Sequence, residues 1–150
     1  MDLVHEHGIG SFRKIETEGE PADCVEAARM RKMPLGDLLK AVLLVDRHKK
    51  YFLVCIPADR KVDLKGKLPK ILLSQRLSFA APEKVLEKTK CVPGAVFPFA
   101  EGIPLVYDIS VLEKNVMNIS AGDRRVSYNV PVRELREKFD PFLADILAEA

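Results

Sequence analysis

Two apolar runs, Leu38 to Val45 and Tyr51 to Pro57, dominate the pattern of the chain, each almost unbroken in hydrophobic residues. Runs of this length, bounded by polar turns, predict strands covered on both faces. The polar turn between them, Asp46 to Lys50, is too short for a crossover helix, so the two strands are expected to pair antiparallel. Shorter strands are predicted at Phe12 to Thr17, Leu105 to Ile109, Val116 to Ser120 and Arg125 to Val130. Leu3 to Gly8 reads as the end of a short helix. Pro21 at a first turn predicts a longer helix over Ala22 to Met33, ended by Pro34 and Gly36. Asp63 to Leu73 predicts a helix kept short or broken by Gly66 and Pro69. Further helices are expected over Pro82 to Lys88, from Pro131 through Phe139, and from Pro141 onward. No regular βαβ rhythm emerges. The pattern predicts an α/β fold with a mixed, mainly antiparallel sheet surrounded by short helices.

A chain of 150 residues, 47% hydrophobic and 31% charged, fits one globular domain spanning residues 1–150. No apolar run approaches the roughly 20 residues that cross a bilayer, and Lys40 interrupts the longest candidate. The start of the chain, Met1 to His7, has neither a basic nor an apolar leader segment, so secretion is not expected. Cys24, Cys55 and Cys91 are widely spaced and odd in number, which suggests reduced thiols and a cytoplasmic setting. The net charge is +2, but residues 47–90 hold 12 Lys or Arg against Asp59, Asp63, Glu83 and Glu87. Such asymmetry fits a phosphate-bearing partner, with Arg47, Lys49, Lys50, Lys65 and Lys67 as first candidate contacts. Ordinary solvated helix faces would give the same pattern.

Three features carry candidate chemistry. Lys40 shares a strand face with Leu38, Val42 and Leu44, and a charge there must reach water, a partner or a ligand. A snorkelling lysine near the strand's start is the plain alternative. The segment Cys91 to Pro104 is too apolar for a solvated loop and too rich in Pro and Gly for regular structure. Gly94 would let a ligand approach the backbone, Pro93 and Pro98 stiffen the frame, and free N–H groups there suit an oxyanion. A rigid loop covering the core is the alternative. The turn Ser120 to Arg125 could hold a hydroxyl or phosphate, or be a simple hairpin turn. His5 and His7 do not share a helix face, and no Cys or further His stands at metal-ligand spacing, so no metal site is expected. His48 is expected to be solvated. There is no nucleophile elbow or phosphate-binding loop motif, and no cofactor is implied.

In order and spacing, these features resemble the YbaK-like family, which includes the editing domain of bacterial prolyl-tRNA synthetases and its free-standing relatives. Gly8 to Gly10 and Val25 to Ala28 match its entry region, and Leu39 to Leu44 the strand bearing its functional lysine. Ile56 to Asp63 matches the following junction, Gly94 to Phe99 the Gly-x-x-x-Pro loop, and Ser120 to Arg125 the closing turn. Phe97 stands where many relatives have a small residue, a change expected to reshape the amino-acid pocket. Ala100 and Asp123 replace a usual Gly and a usual Ser or basic residue.

The resemblance implies the YbaK-like editing-domain fold and hydrolysis of the ester joining an amino acid to the terminal ribose of tRNA. It assigns Lys40 to orienting the 3′ end, Gly94 to the reacting carbonyl, and Phe97, Pro98, Ser120, Gly122 and Asp123 to substrate binding. No general base stands out, which fits assistance by the substrate's own ribose hydroxyl. The implied partner is aminoacyl-tRNA, with an aminoacyl-tRNA synthetase second, and neither DNA nor a membrane. The rival readings are a silent tRNA-end or nucleotide-binding module and a protein that docks onto a synthetase.

Overall fold

The computed structural model describes residues 3–149. The two long apolar runs form β2 (Leu39–Val45) and β3 (Tyr51–Pro57), paired antiparallel from Leu39↔Pro57 to Val45↔Tyr51. β3 is buried from Phe52 to Pro57, as its unbroken apolar sequence requires. Leu53 and Cys55 enter one core cluster with Tyr107, Met117 and Phe97, while Phe52, Val54 and Ile56 enter a second with Leu68 and Ile146. Fully burying each such side chain contributes about 1.5–3 kcal/mol.

The remaining strands are β1 (Arg13–Glu16), β4 (Ser78–Phe79), β5 (Leu105–Asp108), β6 (Val116–Ser120), β7 (Val126–Pro131) and β8 (Phe142–Ala144). They form two sheets, a five-stranded one ordered β4-β2-β3-β5-β8 and an antiparallel three-stranded one ordered β1-β7-β6. The larger sheet is mixed, because β5 runs parallel to both β3 and β8. A single parallel bridge, Leu38↔Asn118, joins the two sheets. Helices α1 (Leu3–Glu6), α2 (Cys24–Arg31), α3 (Lys67–Leu72), α4 (Pro82–Thr89) and α5 (Val132–Phe139) surround them. The α/β class with a mixed sheet and short helices is therefore as expected, although the strands divide into two sheets.

Two expectations are corrected. The segment after Pro141 is not a helix: Phe142–Ala144 is β8, and its pairing from Val106↔Phe142 to Asp108↔Ala144 completes a parallel sheet edge. Its Phe, Leu and Ala suit either state, so the edge of β5 decides. The helix expected from Ala22 starts later, at Cys24, because Asp23 caps it by accepting a 2.8 Å hydrogen bond from the Glu26 N–H. Pro21 lies outside it, buried.

Asp108 ties the β5–β8 edge together. It is buried, and its two carboxylate oxygens accept from the N–H groups of Ser110 at 2.9 Å and Ile146 at 3.0 Å. Asp108→Ala leaves both donors unsatisfied. It should lower the unfolding free energy in a denaturant titration by about 1–3 kcal/mol. An unchanged midpoint would contradict this role.

The position of β2 makes the site. Its outer edge is joined to β6 at Leu38↔Asn118 and to β4 at Leu44↔Phe79 and Val45↔Ser78. Between these contacts, residues 39–42 have no strand on this edge, while β3 pairs them on the other. The sequence predicted a central strand along its whole length, but β2 is central only near its end.

Candidate functional site

A cavity of about 280 Å³ opens at this gap. Its walls come from the start of α2 and the residues before it, from 38–42, from Gly94 and Val96, and from Asn118, Ser120 and Arg124. Lys40, Gly94 and Ser120, expected to act together from sequence, therefore do line one cavity.

Lys40 is exposed, while Leu44 on the same strand face is fully buried. The gap in strand pairing explains how an apolar strand tolerates the charge, since the ammonium stands at the cavity mouth. It makes no hydrogen bond or ion pair among the described residues. The Ser120 hydroxyl is likewise without a partner among them.

Two contacts hold the Gly94 loop. Arg124 donates to the Pro93 carbonyl through Nε at 3.1 Å and Nη2 at 2.6 Å, while its Nη1 pairs with Glu20 at 3.1 Å. The Gly122 N–H donates to the Ala95 carbonyl at 2.8 Å, joining the second loop to the first. Gly94 itself has φ +87°, in the left-handed region that favours glycine. The N–H groups of Gly94 and Val96 donate to no acceptor among the described residues.

The floor was not foreseen. Arg31, 9% exposed, donates from Nη1 to Asn118 Oδ1 at 2.8 Å and from Nη2 to the Arg124 carbonyl at 3.4 Å. Asn118, 2% exposed, is oriented by Nδ2 donating to Ser127 Oγ at 2.9 Å and to Asn129 Oδ1 at 3.0 Å. Burial lowers the Arg31 pKa from its ordinary value, with the nearby Cys24 thiol opposing the shift. The sequence did hold a signal: Ala27, Ala28 and Arg31 share a helix face at three- and four-residue spacing, and the two alanines are buried.

Other expected site residues lie elsewhere. Phe97 is 1% exposed and faces the core, stacked on His7 at 5.3 Å and edge-on to Phe139 at 5.6 Å. The structure does not bring it into the cavity, and the expectation that it reshapes the amino-acid pocket is not met by its position. Pro98 is buried, its carbonyl accepting from the Tyr107 hydroxyl at 2.8 Å. Gly122 and Asp123 also stand off the cavity wall; Asp123 turns the loop by accepting from the Arg125 N–H at 2.9 Å. Arg47, Lys49 and Lys50 lie in the turn at the far end of β2, about 20 Å from Lys40 at the usual rise per strand residue. Arg47 bonds Gln75 at 3.1 Å, Lys67 pairs with Asp145 at 3.1 Å, and Lys65 is exposed.

Burial raises the Cys91 thiol pKa, and Cys55 is raised further for the same reason, so neither is poised as a nucleophile. Among the described residues lining the cavity, Asp23 is the only carboxylate, it is engaged as a helix cap, and no histidine is present. The second Asp23 oxygen makes no hydrogen bond among the described residues and the Cys24 thiol also lines the wall, so the cavity offers cations, neutral donors and one half-engaged carboxylate.

Such a fold and cavity define a mixed α/β domain with a cavity lined by Lys40, Arg31 and neutral hydrogen-bond donors. The chain belongs to the aminoacyl-tRNA editing domain family, whose pattern it matches over residues 19–138. This is the YbaK-like group that its motifs resemble. It is 30% identical over 135 residues to a proline–tRNA ligase of Desulfitobacterium hafniense, covering 85% of this chain and 23% of that one. Over 130 residues it is 25% identical to the proline–tRNA ligase of Nitrosomonas eutropha, covering 83% and 22%. The chain thus spans less than a quarter of the length of these curated relatives. Among solved structures, a candidate trans-editing enzyme for prolyl-tRNA synthetase superposes with a TM-score of 0.85 at 22% identity, covering 97% of this chain and 92% of that one. A hypothetical protein superposes at 0.86 and 20% identity, covering 97% of both. At these identities the likeness is one of fold. Among the described residues, no helix is long and apolar enough to cross a membrane.

Proposed function

We propose that the chain is an aminoacyl-tRNA deacylase, acting as a free-standing editing domain whose cavity receives the aminoacylated 3′ end of tRNA. The observation that carries this reading is the convergence of the unpaired Lys40, the Gly94 loop and Ser120 on one cavity. Family membership supplies the substrate class, and its matched relatives, both proline–tRNA ligases, act on tRNA by their names.

Lys40, at the mouth, takes a phosphate or ribose oxygen and orients the terminal nucleotide. The ester carbonyl lies against the N–H groups of Gly94 and Val96, which stabilise the negative charge that develops on its oxygen. A water oxygen adds to the carbonyl carbon, and the bond from that carbon to the ribose oxygen then breaks. The ribose oxygen leaves with a proton, giving free amino acid and uncharged tRNA. With Asp23 held as a helix cap and no histidine among the lining residues, the neighbouring ribose hydroxyl positions the water. A tRNA aminoacylated at the 3′-oxygen and lacking the terminal 2′-hydroxyl should bind normally and turn over at least about a hundredfold more slowly, the scale of general-base assistance. Equal turnover of the two substrates would overturn substrate assistance.

The basic turn at the far end of β2, and separately Lys65 and Lys67 around the start of α3, reach phosphates beyond the cavity. Affinity for tRNA should fall steeply with salt. Neutralising Arg47, Lys49 and Lys50 together to Gln should flatten that dependence while leaving single-turnover rates of bound substrate unchanged. Salt-insensitive binding would contradict this assignment.

A further inference from the structure

Arg31 is the one buried lysine or arginine among the described residues, and no carboxylate of theirs pairs with it. Its two bonded acceptors, the Asn118 amide oxygen and the Arg124 carbonyl, are neutral. Arg124, by contrast, has Glu20. A buried cation is costly unless it is paired, and a guanidinium stays charged when it is buried. Asn118 cannot turn to relieve the charge, because both its amide hydrogens are committed to Ser127 and Asn129. Arg31 lines the cavity, and its other N–H groups make no hydrogen bond among the described residues.

The cavity is graded in depth. Lys40 and Gly94 are exposed, whereas Arg31, Asn118 and Leu38 are buried. With the phosphate at Lys40 and the ester at Gly94, the group that travels deepest is the side chain of the amino acid. Resting on the deacylase reading above, we propose that Arg31 sets the amino-acid preference of the site. It selects a short side chain bearing an oxygen acceptor, hydroxyl or carboxylate, over an aliphatic one of equal size. An acceptor answers the unpaired guanidinium. An aliphatic side chain would strip it of water and give nothing in return, and sites built around polar groups reject such analogues strongly. The volume of about 280 Å³, shared with the terminal ribose, keeps the side chain short.

The test is single-turnover deacylation of a near-isosteric pair, Thr- against Val-tRNA, with Asp- against Asn-tRNA to separate carboxylate from neutral acceptor. Wild-type protein should favour Thr over Val by at least about a hundredfold. In Arg31→Met the ratio should collapse to within a few-fold, and Arg31→Lys should retain part of it. Thermal melts of both variants report folding; should Arg31→Met not fold, the wild-type ratio and Arg31→Lys carry the test. Turnover without preference, or an equal loss on Thr and Val in a folded Arg31→Met, overturns the inference and leaves the deacylase reading standing. Inactivity of the wild type on every substrate overturns both.

Discussion

Lys40→Ala should reduce deacylation by at least about a hundredfold while leaving the melting temperature unchanged. Lys40 stands at the mouth of the cavity, in the stretch of β2 whose outer edge is unpaired, and its ammonium makes no hydrogen bond or ion pair with another described residue. Removing it therefore breaks no internal contact, and exposed substitutions of this kind usually shift stability by no more than about 0.5 kcal/mol. Its loss should appear where substrate is oriented. One charge-assisted hydrogen bond contributes about 1.5–3 kcal/mol, and a slight misplacement of the reacting ester multiplies the effect. Full activity in a folded variant would remove Lys40 from the site. A fall of several degrees in melting temperature would instead reveal a structural role.

Gly94→Ala should cost about a hundredfold to a thousandfold in turnover, the scale set by losing one oxyanion donor, with affinity for tRNA changed only a few-fold. The substitution acts twice. It forces a side chain into a left-handed backbone at φ +87°, and its Cβ would stand 3.3 Å from Arg124 Nε and 3.5 Å from Nη2. That contact presses on the clamp that fixes the Pro93 carbonyl, so the N–H groups that follow lose their position. Gly102→Ala separates strain from site: its φ is +76°, a Cβ there meets nothing within 4 Å, and it does not line the cavity. It should carry the strain and keep the turnover. Equal damage from both substitutions would reduce Gly94 to a backbone requirement.

The fold was most legible where burial is symmetrical. β3 is covered on both faces, and its sequence is correspondingly apolar without interruption. The edges were least legible. β4 has two residues and β8 three, too short for any periodicity, and both exist because a neighbouring strand offers free hydrogen-bonding groups. At the site, Lys40, Gly94 and Ser120 stood out because each breaks the pattern around it. Arg31 and Asn118 did not, because an arginine in a charged helix and an asparagine in a short strand read as solvent-facing. Only the packing of Ala27 and Ala28 against Leu38, which bridges to Asn118, turns them inward. Phe97 shows the opposite error. A large side chain three residues after a functional glycine suggests a pocket wall, yet Val96 lines the cavity and Phe97, one residue on, points into the His7, Phe99 and Phe139 aromatic cluster.

The central claim is that this cavity hydrolyses the aminoacyl ester. The most direct measurement is the rate at which the purified chain releases amino acid from a panel of mischarged tRNAs, read beside its binding of the same tRNAs. Release well above spontaneous hydrolysis is expected for at least one member, lost in Lys40→Ala while binding persists through the basic turn. Binding of tRNA without release across the panel would make the domain a silent reader of tRNA ends and contradict the account.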